Sequence, residues 1–499
     1  MGRNTLGGVA AGDRQRVRRS GGGDCSFMRR LPAACGLGAM HHRYAQCDDG
    51  HSEGTGNDLE SLTRLDSQHH NRSLQIHDAA TPVESLLKCD KIAMPNIDPT
   101  LGVRSDIEIS LDDLPTLDQV RHLWMDLEQR SKPSFFTSWA WIGTWLELLP
   151  AEIHPQLLQA RLAGRVVGLA VVVQGPPRRR FGMVVCHTAH LHATGRPELD
   201  ILCIEHNDFL LETGSESEVR AAMLAHWLDR LPLATEVSLP WLAGNGWPPG
   251  IESAARRRIT RMDSVCRSYA INLEAVREAD GDYLKLLSYK TRKDARRSMR
   301  AYSQSGLMVL EAACSPEQGL IWLDHLAELH QARWLSRGQP GCFSNDFFTR
   351  FHQTMVARHL ADGCVQLLRI RVAEKDMAYL YGFVRDKRVY SYQTGLNYGL
   401  LGSSSQPGMV AHVLSGQYNA AIGNDVFDLM AGESPNKPKL STFTECMTCT
   451  VMRTDSWRFD LEALLLESGK TIRSVRAKLR RFARGVRNIL MQGSVDRVG

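Results

Sequence analysis

Long apolar runs are missing from this 499-residue sequence. No stretch approaches the roughly 18–20 consecutive apolar residues that a membrane-spanning helix requires. The N-terminus carries charges but lacks the apolar core of a secretory signal, and Leu6 stands where the N-myristoylation pattern needs Ser or Thr. The sequence therefore predicts a cytoplasmic protein, either free in solution or peripheral at the inner membrane.

Paired cysteine motifs are also scarce. The twelve cysteines are scattered along the chain, which is typical of reduced thiols and not of a disulfide framework. Cys446 and Cys449 form a single CxxC pair without a second one, and His190 and His192 have no further cluster at ligand spacing. We therefore expect no metal site.

The charge balance is only mildly basic, with a formal net charge of +5 and a pI near 8.6. Such a balance does not by itself indicate nucleic-acid binding, and no major-groove motif accompanies the basic segments, so DNA is not an expected partner. Hydrophobic residues make up 43% of the chain and charged residues 23%, which is ordinary for a soluble protein with a large core.

Composition and periodicity divide the chain into four parts. Residues 1–93 are Gly-rich, polar and aperiodic, and we expect disorder there because little apolar surface is available to offset the ordering entropy; an over-extended gene start before Met94 would explain them. Residues 94–275 and 276–460 are predicted to form two α/β domains. Residues 461–499 are predicted to form a basic amphipathic helix that docks on the protein, pairs as a coiled coil or lies on an anionic membrane.

The two α/β segments repeat one order of elements. Each has two amphipathic helices followed by a hairpin, and LLQARLAGR (157–165) matches LLRIRVAEK (367–375) at an offset of 210 residues. A constant offset indicates a duplicated unit. The second copy continues into a strand, a Gly-rich loop, a helix and a strand, an arrangement in which the helix start can hold an anion.

A strongly basic helix is predicted around SYKTRKDARRSMR (288–300). Apolar or small residues recur there at three- and four-residue steps, namely Leu284, Leu287, Thr291, Ala295, Met299 and Tyr302. The remaining surface carries Lys290, Arg292, Lys293, Arg296, Arg297 and Arg300. Such a face suits either plain solvent or a phosphate-bearing ligand, and it lacks the interleaved aromatic residues of a single-strand binder.

Six segments, taken in order, carry a resemblance to a known family: SFFTSWAWIGTWL, HATGRPELDILCIEHNDFL, SYKTRKDARRSMR, LHQARWLSRGQPGCF, SQPGMVAH and FDLMAGESPNK. The chain resembles the GNAT-superfamily acetyltransferases of the CelD (cellulose-biosynthesis-associated) type, which are related to the Fem-type aminoacyltransferases. The resemblance spans most of 110–460. It implies an α+β fold with two tandem GNAT-like domains on mixed central sheets, and acyl-CoA-type chemistry.

Two departures from the family pattern leave the donor open. Asn436 stands where the family usually has an aromatic residue before the lysine, and QPGMVA (406–411) differs in spacing from the usual pyrophosphate loop. The Fem relatives take aminoacyl-tRNA as their donor. Acetyl-CoA or another acyl-CoA is therefore the expected co-substrate, and tRNA is the alternative.

The donor's phosphates are predicted to bind where the Gly-rich loop enters its helix. Backbone N–H groups at a helix start attract anions, and Pro407 suits the first helical turn because its missing N–H costs little there. The predicted donor-binding residues are Ser405, Gln406, Gly408 and Met409. An ordinary loop with a helix cap is the structural alternative.

Acyl transfer also needs a base, a stabiliser of the developing oxyanion and a proton for the leaving group. Asp428 and Glu433 are candidate carboxylate bases at the end of the last strand. Lys437 is the candidate that stabilises negative charge or holds a substrate carboxylate, and Tyr392 is the candidate proton donor. A structural or solvated role is the alternative for each.

The resemblance places IEHND (204–208) near the acceptor, with Glu205 and Asn207 as binding candidates; a lone histidine such as His206 is more often structural. Further substrate-binding candidates are Arg292, Arg296, Arg333 and Trp334. The expected activity is transfer of an acetyl or related group to an amine or hydroxyl of a sugar or a cell-envelope or exopolysaccharide precursor. The alternatives are an aminoacyl-tRNA-dependent transferase and a non-catalytic adaptor that binds anions or a membrane.

Overall fold

The computed structural model describes residues 106–466 apart from Phe181, Ser403, Ser404 and Glu433. The expectations for residues 1–93, for the basic helix beyond residue 466 and for Glu433 therefore lie outside the described residues. Among the described helices, none is both long enough and apolar enough to cross a bilayer.

The first half of the described chain contains β1 (Ile107–Asp113), α1 (Leu117–Glu128), α2 (Trp139–Leu148), β2 (Pro155–Leu162), β3 (Arg165–Arg180), β4 (Met183–Leu191), β5 (Leu210–Leu211), α3 (Glu216–Arg230), β6 (Thr235–Ala243) and β7 (Ile259–Asn272). The second half contains α4 (Leu273–Glu278), α5 (Tyr289–Ser305), β8 (Met308–Ala312), α6 (Pro316–Leu335), α7 (Asp346–His359), β9 (Val365–Val372), β10 (Lys375–Arg385), β11 (Arg388–Leu396), α8 (Pro407–Ala421), β12 (Val426–Ala431), α9 (Lys437–Leu440) and β13 (Phe443–Thr454). Residues 457–466 are helical and are labelled α10.

The described strands form one mixed, 13-stranded sheet in the order β1-β2-β3-β4-β6-β13-β7-β12-β11-β10-β9-β8, with β5 paired to β3. Read inward from its own edge, each half of the sheet has the same succession of strands: β1-β2-β3-β4-β6 corresponds to β8-β9-β10-β11-β12. This correspondence confirms the predicted α+β fold with two tandem units. The hairpin turns also correspond. Ala163 and Ala373, aligned by the repeat, have positive φ angles of 49° and 52°.

The last strand of each copy is exchanged. β7 follows β6 along the chain but pairs with β12, whereas β13 follows β12 but pairs with β6, and β7 and β13 pair with each other along their length. The boundary predicted at residues 275–276 falls just after β7. Each copy therefore needs a strand from the other to extend its sheet, and the two copies form one structural unit.

Each copy has one parallel strand pair that separates partway along. β4 pairs with β6 from His187 to His190, and β11 pairs with β12 from Arg388 to Tyr390. Beyond these points the strands continue without pairing to each other, so a gap opens between them. The gap between residues 391–396 and 429–431 is called the β11–β12 notch. Next to each gap lies a bulge residue with positive φ, Trp241 at 54° and Met430 at 68°.

An aromatic core joins the helices of both copies to the sheet. Phe135 of the first copy stacks on Phe383 of the second with ring centroids 4.3 Å apart, and Trp141 meets Phe351 edge to face at 4.7 Å. Aromatic pairs in these geometries add to the stability gained from burial alone. The predicted basic helix is confirmed as α5. Ser288 is its N-cap, and the Ser288 hydroxyl accepts from the Thr291 N–H. The helix buries Thr291, Ala295 and Tyr302.

Candidate functional site

The β11–β12 notch is bordered by a buried ionic network centred on Asp428. This carboxylate accepts from Arg388 (Nη2–Oδ2 2.7 Å) and contacts His206 (Nε2–Oδ2 2.9 Å). The same guanidinium pairs with Glu445 of β13. Burial alone would raise the pKa of Asp428, but the charge of Arg388 and the contact with His206 outweigh burial and hold that pKa well below its usual range. The ionised form of Asp428 is therefore favoured.

Glu205 reaches the notch from the first copy. Its Oε2 accepts from the Ala431 N–H at 3.0 Å, and its Oε1 has no hydrogen-bond partner among the described residues. Burial raises the pKa of Glu205 to about 7, although the Ala431 N–H opposes the shift and the nearby charge of Asp428 adds to it. This carboxyl group consequently changes charge near neutral pH.

Lys437, at the start of α9, points its ammonium at the same bulge. Nζ donates to the carbonyl of Ala431 at 2.8 Å and to that of Met430 at 3.3 Å, and the side chain is buried. The Met430 N–H donates to Asp428 Oδ1 at 2.7 Å. Three sequence candidates, Glu205, Asp428 and Lys437, therefore converge on the backbone of residues 430–431.

His206 connects this network to solvent. Its side chain is 10% exposed, and its backbone has a positive φ of 46°. Because Asp428 is ionised and can only accept, Nε2 carries the proton, and in the neutral ring Nδ1 is the basic nitrogen. Nδ1 has no hydrogen-bond partner among the described side chains and backbone. The arrangement resembles the histidine–carboxylate pairs of general-base catalysis in its chemistry.

The aromatic residues of β11 differ in their surroundings. Tyr390 lies edge-on to His206 with ring centroids 5.3 Å apart, and burial raises the pKa of Tyr390 to about 12. Tyr392 donates its hydroxyl to the carbonyl of Leu202, and burial raises its pKa well above the usual value. The predicted proton donor thus has its hydroxyl directed at a backbone carbonyl of the first copy.

The remaining acceptor candidate of IEHND faces the other gap. Asn207 donates its N–H to the Trp241 carbonyl at 2.9 Å and forms a bridge with Leu242. Its Oδ1 contacts His192 Nδ1 at 2.8 Å. Neighbouring residues of the IEHND motif therefore contact both gaps. Asn207 lies at the first gap, and Glu205 and His206 lie at the second.

The predicted donor loop adjoins the basic helix. Ser405 Oγ hydrogen-bonds the hydroxyl of Tyr302 of α5 at 2.8 Å and the Gly402 carbonyl at 2.5 Å. Gln406 has a left-handed backbone and α8 begins with Pro407. Gly408 and Met409 are buried in the first turn, where N–H groups lack intrahelical acceptors. These amides and the basic face of α5 are chemically suited to a phosphate-bearing donor.

The other substrate-binding candidates are spread over α5 and α6. Arg292 donates to the Leu287 carbonyl at 3.2 Å, and exposed Arg296 lies 3.9 Å from Asp282. Arg333 stacks over the Tyr398 ring at 4.3 Å, just after β11, and buried Trp334 donates to His330 Nε2 at 2.8 Å. Of these four residues, Arg333 contacts the segment that leads into the donor loop.

His206, Asp428 and Glu445 also have the composition of a metal site. One potential ligand atom from each lies within 4.8 Å of the others. The guanidinium of Arg388, however, bonds both carboxylates, so a cation already lies between them. A metal ion would have to displace Arg388, and the donor set does not fit one while that arginine is in place.

Sequence reasoning did not single out Arg388 or Glu445 and gave His206 a structural role by preference. One signal was present. Asp428 is a single charged residue in the otherwise apolar strand VFDLMA (426–431), and a buried charge in such a strand is almost always paired. Arg388 follows Asp386 and Lys387 and carried no such signal. Their adjacency across β11 and β12 required the strand order.

One family model matches part of the second copy. Residues 289–437, which include α5, β8–β12 and the start of α9, match the family model described as acetyltransferase (GNAT) domain. No curated protein matches the chain. Over these residues the second copy is similar to an acetyltransferase (GNAT) domain, and the notch and Lys437 lie within the matched segment.

Several solved structures are similar at low identity. FemX is 10% identical over 69% of this chain and 96% of its own, with a TM-score of 0.42. A tandem GNAT protein from the clavulanic acid biosynthesis pathway is 12% identical over 70% of this chain and 98% of its own, with a TM-score of 0.35. A conserved protein of unknown function from Bacteroides thetaiotaomicron VPI-5482 is 13% identical over 70% of this chain and 100% of its own, with a TM-score of 0.43.

Proposed function

We propose that this protein is an acyltransferase that works at the β11–β12 notch. It moves an acetyl or related acyl group from a CoA-type donor to an amine or hydroxyl of a sugar or a cell-envelope or exopolysaccharide precursor. The observation that supports this most directly is the convergence of Glu205, Asp428 and Lys437 on residues 430–431, next to a histidine that reaches solvent.

The donor's phosphates bind at the start of α8 in this mechanism. The N–H groups of Gly408 and Met409 point out of the helix end and favour an anion. Exposed basic side chains on the neighbouring α5 raise the local concentration of a polyanionic donor. The bound thioester supplies the activated acyl carbon, and the notch between the separated strands receives the acyl arm.

His206 acts as the general base. Asp428 and Arg388 fix its orientation and keep Nε2 protonated, so Nδ1 takes the proton of the attacking amine or hydroxyl. The new bond forms between the acceptor atom and the acyl carbon, the carbon–sulfur bond breaks, and the imidazolium returns its proton to the thiolate or to solvent. Asp428, predicted from the sequence as a base, is a positioning residue here.

Glu205 and Lys437 act through the backbone. Glu205 accepts from the Ala431 N–H, and Lys437 donates to the two carbonyls of the bulge. Together they fix the strand end that forms one side of the notch. Both are therefore positioning residues, and neither needs to leave its buried site during turnover.

Aminoacyl-tRNA is the alternative donor, and one specific observation favours it. The side chains of Lys290, Lys293, Arg296, Arg297 and Arg300 are exposed along a single helix, a surface longer than a CoA diphosphate requires. A tRNA backbone would use the whole face, and binding would fall steeply with salt concentration. A non-catalytic adaptor would have no use for the buried convergence at residues 430–431.

The test measures acyl transfer by the full chain. Acetyl-CoA is incubated with aminosugars, and the released thiol is followed for the wild type and for His206→Gln. We expect acceptor-dependent release, a kcat lowered by about 10²–10⁴-fold in the variant and little change in acetyl-CoA affinity. The matched control is His325→Gln, because His325 is a half-exposed histidine of α6 that contacts Glu328 and the Tyr379 ring. This variant should retain full activity.

The outcomes separate the alternatives. Transfer from charged tRNA but not from acetyl-CoA would replace the donor and keep the site. Equal kcat values for the wild type and His206→Gln would remove His206 as the base. Absence of binding to any acyl-CoA or charged tRNA, measured by calorimetry, would leave only the adaptor.

A further inference from the structure

Five chain segments meet at one end of the first copy's sheet. β3 ends at Arg180 opposite the start of β4 at Met183, and β6 starts at Thr235 beside His187 of β4. β13 ends there at Thr454, opposite the start of β7 at Ile259. α10 follows immediately. This surface, formed by α10 and the adjoining strand ends, is called the apolar end because of the side chains described next.

Large apolar side chains are exposed at the apolar end. Trp457 is 69% exposed and Leu464 62%, and both lie on α10. Their positions and those of Leu461 and Leu465 follow the i, i+4, i+7, i+8 spacing of one helix face. Two further exposed hydrophobic residues, Met183 and Leu233, lie beside the strand ends. A helix in a soluble protein normally turns such a face toward the core.

α10 contacts the protein through the opposite side of the helix, which carries Phe459 and Glu462. Glu462 is buried and pairs with Arg178 (2.5 Å) and Arg180 (3.4 Å) of β3. Phe459 lies under the guanidinium of Arg453 at 4.8 Å. These contacts orient α10 so that its apolar face points away from the sheet. The exposure of Trp457 and Leu464 therefore follows from specific anchoring and not from an unattached helix.

The charge around the apolar face is predominantly positive. Exposed basic residues at the apolar end are Arg179, Arg230, Arg256, Arg258 and Arg458, and the exposed acidic residues of α10 and the turn before it are Asp455 and Asp460. The buried Glu236 and Glu462 are already neutralised by arginines. A tryptophan and leucines surrounded by arginines match the interface of an anionic bilayer, where rings and apolar side chains enter the headgroup region.

We infer that the apolar end docks on an anionic lipid surface. A second copy of the chain fits less well, because a two-fold contact through this face would bring the arginines of both copies together. The docked end lies far from the notch: Ile259 and Ser268 are nine residues apart on β7, which is about 30 Å along a strand. The notch would thus face the water layer near the membrane.

This inference is independent of the proposed acyl transfer, and vesicle binding tests it directly. The full-length chain is sedimented with vesicles of phosphatidylcholine alone or with added phosphatidylglycerol. We expect binding only to the anionic vesicles, weakened by salt. The double variant Trp457→Ser/Leu464→Ser should bind at least tenfold more weakly. The control Leu307→Ser/Ile321→Ser removes residues that are 78% and 57% exposed elsewhere and should bind as the wild type does.

A charge variant adds a second measurement. Arg179→Glu/Arg458→Glu leaves the apolar face intact and should lose the preference for phosphatidylglycerol. Equal vesicle binding by the wild type and Trp457→Ser/Leu464→Ser would overturn the inference, as would absence of wild-type binding to anionic vesicles. A dimeric wild type that becomes monomeric in the serine variant without any vesicle binding would assign the face to a second copy.

Discussion

Replacing Glu205 with glutamine measures how much the ionisation of one buried carboxyl group lowers the free energy of unfolding. Glu205 is fully buried, and its pKa rises from 4.5 in the unfolded chain to about 7 in the folded protein. Glutamine has the same shape as the protonated acid and keeps an oxygen that accepts from the Ala431 N–H. The variant therefore removes the charge and leaves the hydrogen bond of the positioning residue.

The sign of the effect follows from proton uptake. Because the folded pKa is raised, the folded state binds more protons than the unfolded state between pH 4.5 and 7, so stability falls as the pH rises through this window. One pKa unit corresponds to 1.36 kcal/mol, so a shift of this size costs on the order of 3 kcal/mol once the pH exceeds 7. Glu205→Gln avoids this loss because glutamine does not ionise.

Urea unfolding at pH 5 and pH 8 measures the difference. The wild type and Glu205→Gln should have similar free energies of unfolding at pH 5, whereas the variant should be more stable by about 3 kcal/mol at pH 8. Glu462→Gln is the opposite control: ion pairs with Arg178 and Arg180 lower the pKa of Glu462 against the effect of burial, so this variant should be less stable than the wild type at pH 8. A Glu205→Gln difference that is the same at both pH values would refute the reasoning.

Two further substitutions probe the network and the donor loop. Arg388→Met leaves Asp428 and Glu445 without their shared cation and should lower the free energy of unfolding in urea by about 3–5 kcal/mol. The control Arg358→Met breaks the exposed pair with Glu147 and should lower it by about 1 kcal/mol or less. Equal losses in the two variants would contradict a buried role for Arg388. Tyr302→Phe removes the hydrogen bond to Ser405 and should weaken acyl-CoA binding in calorimetry with kcat unchanged. Tyr379→Phe, which loses a hydrogen bond to Asp376 instead, should bind acyl-CoA normally.

The repeat could be read from the sequence because its signals are local. The matched hairpins at 157–165 and 367–375 and the helices before them have periodicities that predict their type and order. The strand exchange had no such signal, because β13 pairs with β6 across about 200 residues and either strand would satisfy the same apolar pattern. Which strands pair depends on side-chain packing in the assembled core, and the sequence of a single segment does not contain that information.

Part of the site followed from the sequence for a similar reason. Asp428 and Lys437 are charged residues at the ends of an apolar strand and its following turn, so both could be predicted as candidate site residues. Their contacts were not: His206 is 222 residues from Asp428, and the hydroxyl of Tyr392 meets a carbonyl 190 residues away. Strand alternation predicted that Tyr390 and Tyr392 share one face of β11. Only the packing of the folded chain shows that Tyr390 is the one beside His206.

The two gaps explain why duplication yields a single candidate site. At the first bulge, the Trp241 carbonyl accepts from the Asn207 backbone, so the main chain itself closes the gap. At the second bulge, the Met430 and Ala431 carbonyls accept from the Lys437 side chain. At the first gap, main-chain pairing therefore continues the sheet. At the second gap, side chains hold the strand end, and β11 and β12 are not paired beyond Tyr390. Because Glu205, His206 and Asn207 are consecutive, closing the first gap also fixes His206, the proposed base, at the second.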